Sequence, residues 1–396
     1  MDILITIVTI YIVFGFIRAI YRLATGFLYT PLANNSTDDK KYTPLVTVVI
    51  PAWNEAVGIT STVRSVINNG YPKLEIIIVD DGSTDTTATK VKEIIKKSQQ
   101  LVKLITQVNS GKSGALNAGI ARAEGELILT LDADSYLEPG SIAKMVKALA
   151  DDAYSVAIGE VVVGNTNTWL GRAQHYEYSV GFHIKRAQHV FDSAYIFPGA
   201  LTMFRTTVLQ EVGEFTDYSS TEDLDISMRI KMAGHKIAYV DSAICVTEGA
   251  STVRGLLNQR TRWRHGYLEC LLHHKDFLLS PKKGWYLTLV DLPLQIFGVI
   301  EVLMFPLILG LLCYLLAANI NPLALVAAYC LVPFILLMLG DLREKYQQLN
   351  LWIFAVPIML IFIETIEYIA LLKSLYRTVY RKRTVWTVWQ RTGVDN

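Results

Sequence analysis

Two short stretches hold residue types that could do chemistry together. Thr221-Glu222-Asp223 is an acidic triplet. At a loop or helix start, it presents a carboxylate able to act as a general base. Further along, Gln259-Arg260-Thr261-Arg262-Trp263 places Gln259, Arg262 and Trp263 on one helical turn, because residues three and four apart share a face. The planar guanidinium of Arg262 suits phosphate oxygens, and Trp263 offers a flat apolar surface with one donor. The combination fits a site that handles both a diphosphate and a sugar ring. Either motif alone would equally suit a solvated helix, so the surrounding elements decide its meaning.

The chain has 396 residues, 52% of them hydrophobic, and a positive mean hydropathy. That is too apolar for an ordinary soluble protein. Apolar residues concentrate at 3–29 and from 285 to about 372, with an ordinary globular composition between. A net charge of +1 gives no footprint for nucleic acid. Cys245, Cys270, Cys313 and Cys330 show no pairing pattern, which fits a reduced, cytoplasm-facing domain. Residues 3–29 are long enough to span a bilayer. They lack a basic leader and a small-residue cleavage site, and so read as an anchor rather than a removable signal. Arg18, Arg22, Lys40 and Lys41 lie toward or beyond the C-terminal side of this segment. The positive-inside rule then puts the N-terminus outside and the following domain in the cytoplasm. Asn34-Asn35-Ser36-Thr37 accordingly reads as a polar linker despite its glycosylation-like sequons.

The soluble part alternates strands with helices. Leu45–Ile50 is an unbroken apolar run, expected of a strand covered on both faces. Pro51-Ala52-Trp53-Asn54-Glu55 ends it, and a helical pattern continues to about Asn68. Leu74–Val79 is a second such strand and runs into Asp80-Asp81-Gly82; a lysine-rich helix and a third strand near Val102–Thr106 follow. This alternation implies parallel βαβ units with a ligand crevice at the strands' C-terminal ends. There Asp81 could accept from a nucleobase N–H or a ribose hydroxyl; an Asp-Gly turn capping the next helix explains the same residues equally well. Asn109-Ser110-Gly111-Lys112-Ser113-Gly114 is not a phosphate loop, because Thr106 stands where that pattern needs glycine. Lys112 remains a single charge beside a helix start. Glu126–Leu131 is a fourth strand and ends in Asp132-Ala133-Asp134. Where such a strand bends, one carboxylate can take Mg²⁺ or Mn²⁺ and the other a hydroxyl. Val156–Val163 is a further strand, and Trp169–Val190 an aromatic helix expected beneath the acceptor site. His265, His273, His274 and Cys270 read as the polar face of an interfacial helix, without convincing zinc spacing.

Asp80-Asp81-Gly82, Asp132-Ala133-Asp134, Thr221-Glu222-Asp223 and Gln259-x-x-Arg262-Trp263, in this order, resemble a membrane-embedded family 2 glycosyltransferase. Within that family the chain is similar to processive β-polysaccharide synthases: cellulose, chitin, hyaluronan and poly-N-acetylglucosamine synthases. The resemblance covers roughly residues 44–275. It implies an α/β fold: a GT-A type nucleotide-sugar-binding domain with a mostly parallel sheet, plus α-helical transmembrane segments. It also implies roles. Asp81 would contact the uridine, with Asp132, Lys112 and Glu55 also on the nucleotide-sugar side. Asp134 would hold Mg²⁺ or Mn²⁺ on the diphosphate, and Asp223 would deprotonate the acceptor hydroxyl. Glu222, Gln259, Arg262 and Trp263 would bind the diphosphate and the acceptor. The expected activity is polymerisation of a β-linked sugar from a UDP-sugar, N-acetylglucosamine being the first choice, with extrusion of the product. Single transfer to a lipid acceptor shares these motifs, and a non-catalytic scaffold would retain the fold. The expected partners are the UDP-sugar, the growing polysaccharide or lipid acceptor, the bilayer and an accessory membrane subunit, with no nucleic acid.

The expected organisation is an N-terminal transmembrane helix (1–30), a linker (31–43), a cytoplasmic catalytic domain (44–250) and amphipathic interfacial helices (251–284). A C-terminal membrane region (285–376) and a basic tail (377–396) complete it, giving a multi-pass protein of the cell membrane. Residues 285–320 are expected to form either an interfacial helix plus one span or a tight hairpin; 322–340 and 350–372 would be further spans. Glu364 and Glu367 would line a polar path or reach interfacial water. Three crossings after the catalytic domain would strand Lys373, Arg377, Arg381, Lys382, Arg383 and Arg391 outside. The positive-inside bias therefore favours a hairpin or a re-entrant segment, with the C-terminus in the cytoplasm.

Overall fold

Val46 to Ile50 is buried at every position, so this strand needs cover on both faces. In the computed structural model it receives that cover. The structure describes residues 13–18, 20–21, 24–31, 42–98, 101–278, 284–318 and 355–380. On one face of β1 (Val46–Ala52), Val46, Val48 and Ile50 pack with Ile59, Val63 and Val66 of α1 (Ile59–Ile67). On the other, Val49 joins a cluster containing Leu116. The sequence continues through β2 (Leu74–Asp80), α2 (Thr87–Ile95), β3 (Val102–Thr106), α3 (Gly111–Ile120), β4 (Leu127–Thr130), β5 (Ser135–Leu137) and α4 (Ser141–Ala148). Then come β6 (Val156–Val163), α5 (Trp169–Val190), β7 (Thr202–Arg205), α6 (Thr206–Val212), α7 (Glu222–Met232), β8 (Ile237–Thr247) and α8 (Val253–His273).

The strands form one 8-stranded sheet in the order β3-β2-β1-β4-β7-β6-β8-β5. β1 to β4 pair in parallel, as do β6 and β8. However, β7 runs antiparallel to both β4 and β6, and β5 antiparallel to β8. The sheet is therefore mixed, which corrects the expectation of a mostly parallel one. The parallel rule held for the strands joined by recognisable crossover helices. The reversal comes from β7 and β5, at 4 and 3 residues too short to show a hydrophobic period.

The loops after β1 and β2 are tied together. Asn54 sits at φ 56, a left-handed conformation its short amide side chain tolerates. Its Oδ1 accepts from Thr84 N at 2.8 Å and Asp85 N at 3.3 Å. Gly82 sits at φ +72, and a Cβ there would lie 2.9 Å from Asn109 N. Glycine is thus required both for the turn and for the approach of the next loop.

Leu287–Ala317 is one 31-residue helix, and among the described residues the single one long and apolar enough to cross a membrane. It starts as a π-helical turn, Leu287–Asp291, and continues as α9 (Leu292–Ala317). This continuous helix rules out a hairpin within 285–320. The helical residues near the N-terminus pack on it: Phe14 and Phe297 have ring centroids 4.3 Å apart, and Arg18 pairs with Glu301. α10 (Val356–Val379) extends past the expected end at 372 and packs along α8. Its Glu367 bonds Arg264 at 2.6 Å and so belongs to a helix contact rather than to open solvent. The expected span at 322–340, nearly all of the linker and the tail beyond Tyr380 lie outside the described residues.

Gly140 provides a control for Gly82, since it has φ +78 with nothing within 4 Å of an added Cβ. Alanine at Gly140 should cost only the left-handed strain of about 1–2 kcal/mol. Gly82→Ala should lower the thermal unfolding midpoint further, because it adds a backbone clash; equal midpoints for the two variants would contradict the tight turn.

Candidate active site

The end of β4 and the starts of α3 and α7 converge around one ammonium. Lys112, in the first turn of α3, places Nζ 2.7 Å from Asp132 Oδ1 and 3.2 Å from Glu222 Oε1. Asp223 lies alongside: a Cβ added to Gly199 would sit 3.1 Å from Asp223 Oδ2 and 3.2 Å from Lys112 Nζ. Lys112, Phe197, Gly199, Thr202, Glu222 and Asp223 share one pocket. Burial works against the Lys112 charge, but Asp132, Glu222 and Asp223 hold its ammonium well above the ordinary lysine range. Burial pushes the Asp223 carboxyl up, and the Glu222 charge adds to this. Lys112 and Arg262 pull the other way, and the balance is about 6. A carboxylate tuned there is a competent base near neutral pH.

Asp81 is held differently. Its Oδ1 accepts from Ser110 N and Gln107 Nε2, both at 2.8 Å, and its Oδ2 from Gly111 N at 2.9 Å. It therefore caps the N-terminus of α3, two helices' worth of chain away from its own turn, where the backbone N–H groups and the helix dipole favour an anion. Of the two explanations that the sequence left open, capping is present here, though toward α3 and not the next helix. A carboxylate with about four acceptor positions can still meet a further donor. Glu55 is buried in the β1 loop, where its backbone N–H donates to Thr87 Oγ1 at 2.9 Å. It lies with the interlocked β1 and β2 loops.

A straight strand would put Asp132 and Asp134 on one face, but the chain turns at Ala133-Asp134 and separates them. Asp132 faces Lys112, whereas Asp134 accepts from Ser135 Oγ at 2.9 Å where the chain bends between β4 and β5. Among the described residues no group of three His, Cys, Asp or Glu side chains forms a metal cage. A site with one strand-end carboxylate fits Mg²⁺ or Mn²⁺ brought in with a diphosphate, since such ions accept few protein carboxylates plus phosphate oxygens.

Gln259, Arg262 and Trp263 all lie on α8, as their spacing required. Arg262 Nη1 donates to Ser220 O at 3.1 Å, and Ser220 Oγ donates back to Arg262 O at 3.1 Å. This pins α8 to the loop before α7 and brings the Arg262 charge to bear on Asp223. The approach needs Gly266, where a Cβ would sit 2.3 Å from Thr221 Oγ1. Gln259 is 7% exposed, and its Oε1 has no hydrogen-bond partner among the described residues. Gly199 and Gly266 were missed by sequence reasoning. Nothing local to either glycine shows what it must admit.

The fold agrees with the comparisons. Residues 47–213 match the family described as Glycosyl transferase family 2. The chain carries a family 2 glycosyltransferase domain. It is 32% identical over 234 residues to a poly-beta-1,6-N-acetyl-D-glucosamine synthase of Staphylococcus epidermidis, covering 59% of this chain and 56% of that protein. It is 31% identical over 268 residues to the synthase of the same name from Staphylococcus aureus, covering 67% and 64%. The chain thus spans less than two thirds of the length of these relatives. The fold also resembles that of a mannosyltransferase from Pyrobaculum calidifontis, solved in complex with GDP-Man and Mn2+. That match has a TM-score of 0.68 at 21% identity and covers 96% of this chain and 98% of the other. The family 2 domain has a GT-A-like architecture with a curled mixed sheet.

Asp225, two residues from Asp223, has a separate role. Fully buried, it accepts from Thr216 Oγ1 at 2.7 Å, pairs with Arg229 at 2.8 Å and contacts His274 Nε2 at 2.8 Å; Tyr218 also donates to it. Burial opposes its charge, but His274, Tyr218, Thr216 and Arg229 together hold the carboxyl far below the ordinary range. Because the folded value is depressed, this stabilisation is present above about pH 4 and is lost as pH falls toward the folded value. Asp225→Asn should cost on the order of 3 kcal/mol, measured by unfolding at neutral pH, and that deficit should shrink on acidification. A stability equal to wild type at neutral pH would contradict this role.

Proposed function

We propose that the protein is an inverting, processive glycosyltransferase that polymerises a β-linked, N-acetylglucosamine-containing polysaccharide from a UDP-sugar and moves the product across the membrane. The observation that carries this reading is the convergence of Asp223, at a carboxyl value of about 6, with Lys112, Asp132 and Glu222, beside the helix of Arg262 and Trp263. The choice of N-acetylglucosamine follows the names of the Staphylococcus relatives.

In this mechanism Asp81 and Glu55 lie on the nucleotide side, with Asp132 and Lys112 toward the sugar diphosphate. Asp223 takes the proton of the acceptor hydroxyl as its oxygen attacks the anomeric carbon. The bond from that carbon to the diphosphate breaks, UDP leaves with the bonding electrons, and inversion turns an α-linked donor into a β-linked product. Glu222 holds Lys112 in place, and Gln259 and Arg262 stabilise the departing diphosphate. Trp263 supports the acceptor sugar. A Mg²⁺ or Mn²⁺ at Asp134 supplies further neutralisation of the diphosphate when bound. The catalytic domain faces the cytoplasm, where UDP-sugars are made, and the Leu287–Ala317 helix anchors it in the cell membrane.

Asp223→Asn keeps the side chain's shape but cannot accept the proton. Sugar transfer should fall at least about a hundredfold, while UDP-sugar binding stays near the wild-type value. In the wild type, kcat/KM should fall as pH drops through about 6, because protonated Asp223 cannot act as base. Near-native turnover by Asp223→Asn in a folded protein would sink the assignment.

Chelation with verified metal removal should silence transfer reversibly, and Asp134→Ala should weaken donor binding. Full activity without metal would overturn the Asp134 role. Incubation with a panel of UDP-sugars, followed by product sizing and digestion with linkage-specific glycosidases, tests polymerisation; a single transferred residue on lipid would replace the processive reading.

A further inference from the structure

Arg260 occupies an unassigned position within the Gln259–Trp263 motif, and its contacts come from three helices. Its guanidinium carbon lies 4.4 Å from the centroid of the Trp263 ring. Its Nη2 donates to Glu177 Oε2 of α5 at 2.8 Å. Its Nε lies 3.6 Å from Glu367 Oε1 of α10, and the other oxygen of Glu367 accepts from Arg264 Nε at 2.6 Å. Arg260 is 4% exposed and Glu367 7%. Tyr178, next to Glu177, approaches the same indole with ring centroids 6.4 Å apart. Ser374 Oγ of α10 donates to Thr261 O at 3.0 Å, fixing the register of α10 against this turn.

We propose that Glu177 and Glu367 are positioning residues for the acceptor, acting through Arg260 to fix the orientation of the Trp263 indole. This rests on the reading above, in which Trp263 supports the acceptor sugar. A guanidinium is planar and binds carboxylates in fixed directions. Hydrogen-bonded to Glu177, and with Glu367 at ion-pair distance from an Nε that makes no hydrogen bond, it is restrained from two helices, and so is the ring it covers. The stacking is strengthened by burial, which strips water from the cation. A buried carboxylate is costly, and apolar packing would hold α10 to α8 with less desolvation. A role in setting geometry accounts for that cost. The half-buried Trp263 ring then presents one surface in one orientation, next along α8 to Arg262, whose charge acts on Asp223.

The test uses the full chain in lipid nanodiscs, with Glu367→Gln, Glu177→Gln and Arg260→Lys made separately. Steady-state kinetics are measured against UDP-N-acetylglucosamine and against a short β-linked N-acetylglucosamine oligomer. Each variant should raise KM for the oligomer about tenfold, the factor set by about 1.4 kcal/mol, while KM for the UDP-sugar stays within about twofold of wild type. Arg260→Lys keeps the charge but not the planar stack, so it should resemble the carboxylate variants. An acceptor-independent readout accompanies the kinetics. Near-ultraviolet circular dichroism is compared with and without Trp263→Phe, isolating this one indole among the 7 tryptophans. The Trp263 contribution should collapse in all three variants and persist in Asp223→Asn. An unchanged Trp263 signal, or equal rises in both KM values, would show that the network merely staples helices and would overturn the proposal. If the wild type transfers nothing from the UDP-sugar, the functional reading falls, and the Trp263 signal still decides whether the network orients the ring.

Discussion

One ammonium between carboxylates organises the site. Without Lys112, Asp132, Glu222 and Asp223 would face one another across a pocket that water only partly reaches, and their repulsion would drive the end of β4 away from the start of α7. The cation depends in turn on Asp81. By capping α3, Asp81 sets where the first turn of that helix, and hence Lys112, meets the other carboxylates. The acidic motifs at the ends of β2 and β4 are thus mechanically coupled. A change at Asp81 would be felt at Asp132 and Glu222 even if it touched no ligand.

The same helix start separates two aspartates into opposite tasks. Asp223 looks into the pocket, where burial and the Glu222 charge raise its carboxyl toward neutrality. Asp225, one turn's fraction further round α7, meets Arg229, Tyr218, Thr216 and His274 and is held firmly ionised. Environment, not residue type, sets the two carboxyls apart. The two are linked, because His274 ends α8, whose middle carries Arg262 and Trp263. Asp225 therefore anchors the far end of the helix that Ser220 pins near the site.

α8 is the element between the chemistry and the membrane. One side of it meets the loop leading into α7; another meets α10 through Arg260, Arg264 and Thr261. A shift of α10 would therefore act first on Arg260 and, through it, on the Trp263 ring.

The sequence by itself determined the local parts. The all-apolar run at β1 demanded a strand covered on both faces, and it is one. The spacing of Gln259, Arg262 and Trp263 demanded one helical turn, and α8 supplies it. These follow from periods of 2 and 3.6 residues, which depend on neighbours in the chain alone. Tertiary structure decided what depends on long-range approach. It made the sheet mixed through the short strands β5 and β7, and it turned Asp81 toward α3. It also made Gly199 and Gly266 indispensable gaps, and placed Glu367 on Arg260 and Arg264 of α8. None of these has a local signal, because each is set by which surfaces meet across the fold, and that is fixed only when the whole core packs.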